Sequence, residues 1–329
     1  MKQFPDISDV WAASKNISSL VSRTPVLQSP ELEEVSQAKS VHLKLDLLQP
    51  TGSFKVRGAV NKVLSLSQEQ KRRGVITFST GNHGRAVAYA AKQAGVRAVV
   101  CLSKRVPAYR AEAVRELGGE VEIYGNSQDE AEQRYFEILE QEKLVPIAPF
   151  DDPHIIAGQG TSALEILQQV QNIDVLLVPL SGGGLLSGMA MTVKSLNPSV
   201  KVIGISARNT PVMLESLRAG HAVVLEEKET IADSLSGGIG KNNQYTFRMV
   251  RDFADDHIVV DEQDISRGMH WCFSRHGLAA EGAAAVGIGA VLSRKADIRG
   301  RHAVIQITGR NVEISKYVSV LIEEGKQHG

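Results

Sequence analysis

Short apolar runs alternate with longer amphipathic segments along most of this chain, and only a few fold classes accept that order. The runs have the length and apolar character of buried strands and lie at 75–78, 98–102 and 121–123. The amphipathic segments repeat apolar residues at helical spacing and lie at 57–66, 83–94, 108–117 and 128–142. This alternation, with short connections, indicates an α/β protein with a mostly parallel sheet covered by helices.

The same alternation resumes after a proline-bearing stretch, 146–153, which indicates a second unit. The elements expected there are a helix at 160–170, a strand at 174–179, a helix from residue 185 and a strand at 202–205. A length of 329 residues allows two domains or one large one. An extended stretch at 41–45 has no local partner downstream, so we expect it to pack on the C-terminal half. We therefore predict a small domain, 49–150, inserted in a large domain formed by 1–48 and 151–329.

The charge balance disfavours several kinds of partner. Lys and Arg together number 37, as do Asp and Glu, which argues against a nucleic acid or an anionic membrane as partner and favours a small-molecule ligand.

The longest apolar stretch, 278–292, contains Glu281 and several glycines and is too short to span a membrane. Residues 1–11 do not resemble a secretory signal, so we expect a cytoplasmic protein. The two cysteines lack CxxC spacing, which argues against a disulfide framework and a thiolate metal site.

A loop at 49–59, with the sequence QPTGSFKVRGA, places Lys55 at the start of an amphipathic helix. Its proline and glycine fix a turn before that helix. The helix dipole opposes a cation at this end, so the Lys55 amine should be easier to deprotonate, as a lysine that forms a Schiff base requires. This loop alone leaves open the alternative of an exposed first-turn lysine without a function.

A second loop, STGNHG at 79–84, directly follows an expected strand and directly precedes an expected helix. Such a turn of small polar residues presents several backbone N–H groups to an anion, so a carboxylate or a phosphate can bind there. The Asn82 side chain adds a further donor. An ordinary capping turn is the alternative at this point.

A third loop, SGGGLLSG at 181–188, follows the buried-strand run at 174–180. Three adjacent glycines remove every Cβ where the backbone must wrap an anion, and the next helix points its N-terminus at that anion, which predicts a phosphate site. A dinucleotide-binding turn requires an acidic residue at the end of the next strand, and residues 204–206 are Gly, Ile and Ser. Arg208 could instead accommodate a phosphorylated ribose, so the nucleotide alternative stays open.

Taken together and in this order, the motifs resemble the fold-type II pyridoxal-phosphate enzymes of the serine/threonine dehydratase and serine racemase family. The resembling segments span nearly the whole chain and are 23–27 (RTPVL), 53–59 (SFKVRGA), 79–83 (STGNH), 156–161 (IAGQGT), 181–185 (SGGGL) and 308–311 (TGRN). The resemblance implies a tryptophan synthase β-like fold with two open, twisted, mostly parallel sheets flanked by helices. It also implies pyridoxal 5'-phosphate as cofactor, an amino acid as substrate and a homodimer.

By that resemblance, Lys55 is the catalytic lysine that carries the cofactor as a Schiff base. The other implied cofactor contacts are Phe54 along the ring face, Asn82 at the phenolic oxygen, Thr308 beside the pyridine nitrogen, and Ser181, Gly182, Gly183, Gly184 and Leu185 around the phosphate. The implied substrate-carboxylate contacts are the backbone groups of Ser79, Thr80, Gly81, Asn82 and His83. The side chain of His83 is given no role.

The implied reaction is β-elimination, in which the freed Lys55 amine takes the Cα proton, the β-hydroxyl leaves, and a 2-oxo acid and ammonia result. A neutral hydroxyl such as that of Thr308 does not keep a pyridine nitrogen protonated, which favours elimination over transamination. Thr80 stands where racemases place the serine that protonates the opposite face of Cα, so a second acid or base there stays open, while racemisation is disfavoured. Ser206 stands where racemases place a metal-binding glutamate, so no metal site is predicted.

Arg310 and the segment 233–240 (DSLSGGIG) resemble most closely the hydroxyectoine-utilisation dehydratase branch. That branch implies a 3-hydroxy amino acid derived from hydroxyectoine. Arg310 is expected either to recognise an acidic or acyl group on the substrate or to face solvent. Glu281 is expected either to orient the ring-nitrogen region or to lie on a helix surface. Five other functions stay open. They are a serine/threonine dehydratase of general metabolism, a β-replacement synthase, a racemase, a catalytically silent amino-acid-binding regulator and, from a different class, a nucleotide-dependent oxidoreductase.

Overall fold

A computed structural model describes residues 4–79, 81–226 and 228–328 of the chain. Its strands are β1 (Val26–Gln28), β2 (Ser40–Leu45), β3 (Val75–Phe78), β4 (Ala98–Leu102), β5 (Glu120–Ile123), β6 (Val145–Pro146), β7 (Val175–Pro179), β8 (Lys201–Ala207), β9 (Asp256–Val260) and β10 (His302–Ile307). Its helices are α1 (Ile7–Ile17), α2 (Pro30–Ser36), α3 (Lys55–Leu64), α4 (Gln68–Arg73), α5 (Asn82–Gln93), α6 (Ala108–Glu116), α7 (Gln128–Glu142), α8 (Pro153–Gln169), α9 (Gly184–Leu196), α10 (Val212–Ala219), α11 (Thr246–Phe253), α12 (Glu262–His276), α13 (Gly282–Leu292) and α14 (Ile314–His328).

Within the described residues, these strands form one sheet of six and one sheet of four. The larger sheet has the order β1-β2-β10-β7-β8-β9 and is parallel except for β1, which runs antiparallel to β2. The smaller sheet has the order β5-β4-β3-β6 and is parallel throughout. The predicted α/β class with two mostly parallel sheets is therefore confirmed. The domain division stays a prediction; all four strands of the smaller sheet come from residues within 49–150.

The strand register brings the predicted loops to one edge of each sheet. Ile307 at the end of β10 is paired with Leu45 at the end of β2, and β7 runs parallel to β10 on its other side. The loops that follow these three strands therefore leave the larger sheet at the same, carboxyl edge. In open parallel sheets, ligands bind in the crevice outside this edge.

The helices α3 and α8 are packed backbone to backbone, which fixes the position of Lys55 at the start of α3. A Cβ added to Gly158 on α8 would lie 2.6 Å from the Cα of Gly58 on α3, so only glycine permits this approach. The helix α8 begins at Pro153, seven residues before the start predicted from the sequence. The carboxylate of Asp152 caps it by accepting hydrogen bonds from the backbone N–H groups of His154 and Ile155.

A buried ionic cluster joins α3 and α8 to the larger sheet. The guanidinium of Arg57 lies 2.7 Å from Asp46 and 2.6 Å from Glu165, and Lys44 on β2 lies 2.6 Å from the same Glu165. The side chains of Arg57, Asp46 and Lys44 are fully buried. Although burial alone would raise the pKa of Asp46, the charge of Arg57 and its hydrogen bonds hold that pKa below the ordinary value.

Among the described residues, no helix is both long and apolar enough to cross a bilayer.

Candidate active site

A cavity of about 370 Å³ lies at the carboxyl edges of the two sheets. All three predicted loops and the segment after β10 contribute to its wall, through Phe54, Lys55, Ser79, Gly81, Asn82, His83, Ser181, Gly182, Gly183, Gly184, Leu185 and Thr308. This volume is in the range of small-molecule sites. Residues that lie far apart in the chain are thus brought together in one cavity wall. Of the predicted site residues, Thr80 lies outside the described residues, and Arg310 is not among those that line the cavity.

Lys55 is the first residue of α3, and its amine is buried in this cavity. The Nζ atom donates a hydrogen bond of 2.7 Å to the carbonyl of Pro149 and lies 5.4 Å from the centroid of the Phe54 ring. Burial lowers the pKa of Lys55 to about 8, while the charge of Glu281 acts in the opposite direction. The expected easier deprotonation is therefore present, and burial is its main cause. With this pKa, roughly a fifth of the amine is neutral near pH 7.4, compared with less than about a thousandth for a lysine of ordinary pKa, and the neutral form is the nucleophile.

The loop that carries Lys55 is tied to the segment after β10. The backbone N–H of Phe54 donates to the carbonyl of Thr308 at 2.9 Å, and the N–H of Arg310 donates to the carbonyl of Gly52 at 3.0 Å. These bonds hold Thr308, which is buried, in the cavity wall beside the loop that carries Lys55. Arg310 is exposed and is not among the residues that line the cavity, so its predicted contact with substrate stays a prediction.

The glycine run at 182–184 is built against Phe150, a residue that the sequence analysis did not assign to the site. A Cβ on Gly182 would collide with the Phe150 ring, and one on Gly184 would lie 2.9 Å from the Phe150 Cβ. Gly183 has a φ of +87° and occupies the N-cap of the thirteen-residue helix α9. The first backbone N–H groups of a helix lack partners within it, so this bare turn offers donors and the positive end of a dipole to an anion.

The loop after β3 presents the start of α5 to the same cavity. Asn82 is its first residue, and its side-chain amide donates to Glu281 at 2.8 Å and accepts from the Asn311 amide at 2.6 Å. The bond from Asn82 to the cofactor stays a prediction. The Asn82 amide also lies 3.5 Å from the hydroxyl of Ser234. His83 is buried, and its Nε2 lies 3.0 Å from the carbonyl of Ile147. Burial and then the charge of Lys55 lower the pKa of His83 to about 3, so it stays neutral.

Glu281 is a buried carboxylic acid in the cavity wall, at the residue before α13. It is 3% exposed, so of the two locations left open by the sequence the helix surface is wrong. Burial raises the pKa of Glu281 to about 7, although hydrogen bonds from the side chain of Asn82 and the backbone of Asn311 oppose that rise. The group therefore exchanges its proton close to neutral pH.

Arg110 and Asp233 also line the cavity, and the sequence analysis gave neither of them a role as an individual residue. Their side chains form an ion pair between α6 and the short turn at 233–235. A charged residue on an amphipathic helix usually faces solvent, so no local signal marks Arg110 as part of a site.

In the described part of the chain, no group of three or more His, Cys, Asp or Glu residues is placed to hold a metal ion.

Comparisons with known proteins agree on one family. The sequence profile described as "Pyridoxal-phosphate dependent enzyme" matches residues 17–309. The chain is 42% identical over 315 residues to a putative threonine dehydratase of Sinorhizobium fredii, covering 96% of this chain and 95% of that protein. It is 35% identical over 325 residues to the L-threo-3-hydroxyaspartate ammonia-lyase of Saccharomyces cerevisiae, covering 99% and 98%. The structure of maize serine racemase superposes with a TM-score of 0.90 at 34% identity, covering 98% and 99%.

Proposed function

The chain belongs to the pyridoxal-phosphate dependent enzyme family, and from that membership we propose that it catalyses β-elimination from a 3-hydroxy amino acid, releasing a 2-oxo acid and ammonia. The two sequence relatives described above are named a dehydratase and an ammonia-lyase, which supports this reaction class. The observation that carries the proposal is the buried Lys55 amine, with a pKa of about 8, in one cavity with the bare glycine turn.

The residues present fit pyridoxal 5'-phosphate. An aldehyde reacts with a neutral amine, and Lys55 supplies one that is buried and largely uncharged above pH 8. A phosphate requires backbone donors that are not covered by side chains, and the turn at 182–184 has no space for a Cβ. We propose that Lys55 holds the aldehyde carbon, that residues 181–185 hold the phosphate, and that Phe54 and Thr308 border the ring.

When bound, the cofactor supplies an electron sink for negative charge at the substrate Cα. The chain's own part is to place and move protons around it. We propose that the start of α5 and the loop before it bind the substrate carboxylate through backbone N–H groups. The Nζ atom of Lys55, buried and with a pKa of about 8, can then accept the Cα proton near neutral pH. Thr308 offers a neutral hydroxyl rather than a carboxylate, which favours loss of the β-hydroxyl over transamination.

The more specific part of the proposal concerns the substrate and the cellular setting. The segment 233–240 resembles the hydroxyectoine-utilisation branch, and several of its residues border the cavity. From this position we propose that the substrate is derived from hydroxyectoine and is longer than threonine.

We also propose that the protein is a cytoplasmic homodimer. Light scattering on the purified protein should then give twice the chain mass of 35.6 kDa.

The test is ammonia and 2-oxo acid release from serine, threonine, 3-hydroxyaspartate and hydroxylated diaminobutyrate derivatives. Lys55→Ala should abolish turnover and the borohydride-trappable bond to the cofactor. Lys62→Ala, on the same helix but outside the cavity wall, is the matched control and should retain both. Elimination that persists in Lys55→Ala would refute the role of this lysine. Chiral analysis that finds the other enantiomer and no oxo acid would replace the lyase by a racemase.

A further inference from the structure

The ion pair of Arg110 and Asp233 lies in the wall of the cavity, at a point that the mechanism does not use. Arg110 comes from α6, which follows the smaller sheet's β4, and Asp233 comes from a turn that follows the larger sheet's β8. The side chains are 24% and 40% exposed, so both remain accessible from the cavity without being freely solvated. The Nε atom of Arg110 also donates to the hydroxyl of Tyr109 at 3.1 Å, which fixes the plane of the guanidinium.

The pair is connected to the proposed carboxylate-binding loop. Ser234 Oγ lies 3.5 Å from an Asp233 carboxylate oxygen and 3.5 Å from the side-chain amide of Asn82. Asn82 is the first residue of α5, where the substrate carboxylate is proposed to bind. The cavity wall therefore continues from the carboxylate site through Ser234 to the ion pair. A substrate side chain longer than that of serine would extend along this wall.

The charges of the pair favour one kind of substituent. A carboxylate on the substrate would be attracted by Arg110 but repelled by Asp233. An ammonium group would be attracted by Asp233 but repelled by Arg110. A neutral amide has a carbonyl that accepts from a guanidinium and an N–H that donates to a carboxylate. It would satisfy both partners and leave the net charge of the wall at zero. A charged substituent would instead pair with one of the two residues and leave the charge of the other poorly compensated in this partly buried position.

From this arrangement we propose that Arg110 and Asp233 are specificity-determining residues that select a substrate with a neutral amide on its side chain. The inference rests on the proposed function, because it assumes that an amino acid occupies the cavity. It narrows the substrate class to 3-hydroxy amino acids that carry a carboxamide or an N-acyl group. Neither residue needs to touch the reacting atoms for this role.

The test measures binding, so it does not depend on turnover. The holoenzyme is titrated with asparagine, its isostere aspartate, and 2,4-diaminobutyrate, and the Kd of each is read from the change in cofactor absorbance. The wild type should bind asparagine at least about tenfold more tightly than either charged analogue. Asp233→Asn should shift the preference toward aspartate, and Arg110→Gln should shift it toward diaminobutyrate, each by about tenfold or more.

Arg115→Gln, on the same helix but outside the cavity wall, is the matched control and should leave all three affinities unchanged. Far-UV circular dichroism and cofactor absorbance verify that each variant is folded and loaded. Equal changes for all three ligands in both variants would mean that the pair only bridges two parts of the fold, which overturns the inference. A wild type without preference for asparagine overturns it as well. Failure of the proposed function is separate, since it would show as absent ammonia release from every 3-hydroxy amino acid.

Discussion

Lys55 and Glu281 both titrate close to neutral pH inside the cavity, and the charge of Glu281 affects the pKa of Lys55. Burial lowers the pKa of Lys55 to about 8 and raises that of Glu281 to about 7, because both charged forms lose hydration. Once Glu281 is ionised, its negative charge stabilises the protonated amine of Lys55 and opposes part of the effect of burial. The protonation state of the reacting amine is therefore set by burial and by the charge of Glu281 rather than by its position on the helix alone.

This coupling predicts the pH dependence of covalent cofactor uptake. Since only the neutral amine attacks an aldehyde, the uptake rate should rise with pH up to about 8 and level off above it. Below the pKa, it should fall about tenfold for each pH unit. Glu281→Gln removes the negative charge, so we expect the midpoint to move to lower pH by about half a unit to one unit.

Stopped-flow absorbance on the apoprotein between pH 6 and 9.5 measures the midpoint. Glu323→Gln, which changes an exposed carboxylate on α14, should leave the midpoint in place. A Glu281→Gln midpoint that is unchanged or moves to higher pH would contradict the proposed coupling. A wild-type rate that keeps rising about tenfold per pH unit up to pH 9.5, without levelling off near pH 8, would show that the Lys55 pKa is close to its ordinary value.

The helix α3 carries the reactive lysine, and its anchor is the fully buried Arg57 two residues later. Removing one member of a buried ion pair leaves an uncompensated charge, which costs about 3–5 kcal/mol. We expect Arg57→Ala to lower the free energy of unfolding by that amount and to weaken cofactor binding. Lys201→Ala breaks a largely exposed pair with Asp256 and should change the stability little. Urea denaturation with both variants measures the difference, and equal losses would rule out a special role for the buried cluster.

The turn before α9 is predicted to bind the phosphate because it has no side chains. In Gly182→Ala the new methyl group would collide with the Phe150 ring and push the turn away from its present position. We expect the cofactor Kd to rise at least about tenfold, measured by absorbance titration. Gly325→Ala is the control, because it adds a methyl group where no atom lies within 4 Å. An unchanged Kd in Gly182→Ala would place the phosphate elsewhere.

The elements that follow from local pattern could be predicted from the sequence, and those that depend on distant residues could not. The bounds of β3, β4 and α7 agree with the prediction, because their apolar spacing is strong and their ends carry clear turn or cap residues. The two-residue strand β6 has no such pattern and exists only because it lies beside β3. The sequence prediction starts α8 too late because it does not include the cap that Asp152 provides.

The same distinction applies to the candidate site. Its three loops are contiguous motifs, and the sequence places each of them between a strand and a helix or at a helix start. Phe150, Arg110 and Glu281 contribute through contacts with residues far away in the chain. No spacing rule reports such contacts. The sequence left two locations open for Glu281 and gave no role to Phe150 or Arg110, so the folded arrangement is needed to place these side chains in one cavity.

The cavity is formed where loops from the carboxyl edges of the two sheets meet. Elements beside the smaller sheet contribute Lys55 and Asn82, whereas the larger sheet contributes the glycine turn and Thr308. Direct bonds already cross this boundary, including the one from Asn82 to Glu281. A ligand that is fixed at one end by Lys55 and at the other by the glycine turn would add a further connection between the two halves.

Cofactor binding should therefore stabilise both halves of the molecule together. A ligand at about one hundred times its Kd adds about 2.7 kcal/mol to the free energy of unfolding. We expect pyridoxal 5'-phosphate to raise the melting temperature of the apoprotein, with slower hydrogen exchange both at the start of α5 and in the turn before α9. In Lys55→Ala, the phosphate turn is intact but the covalent connection is lost, so protection should persist near α9 and decrease near α5. Protection that stays equal in both segments of that variant would mean that the cofactor connects the halves without Lys55.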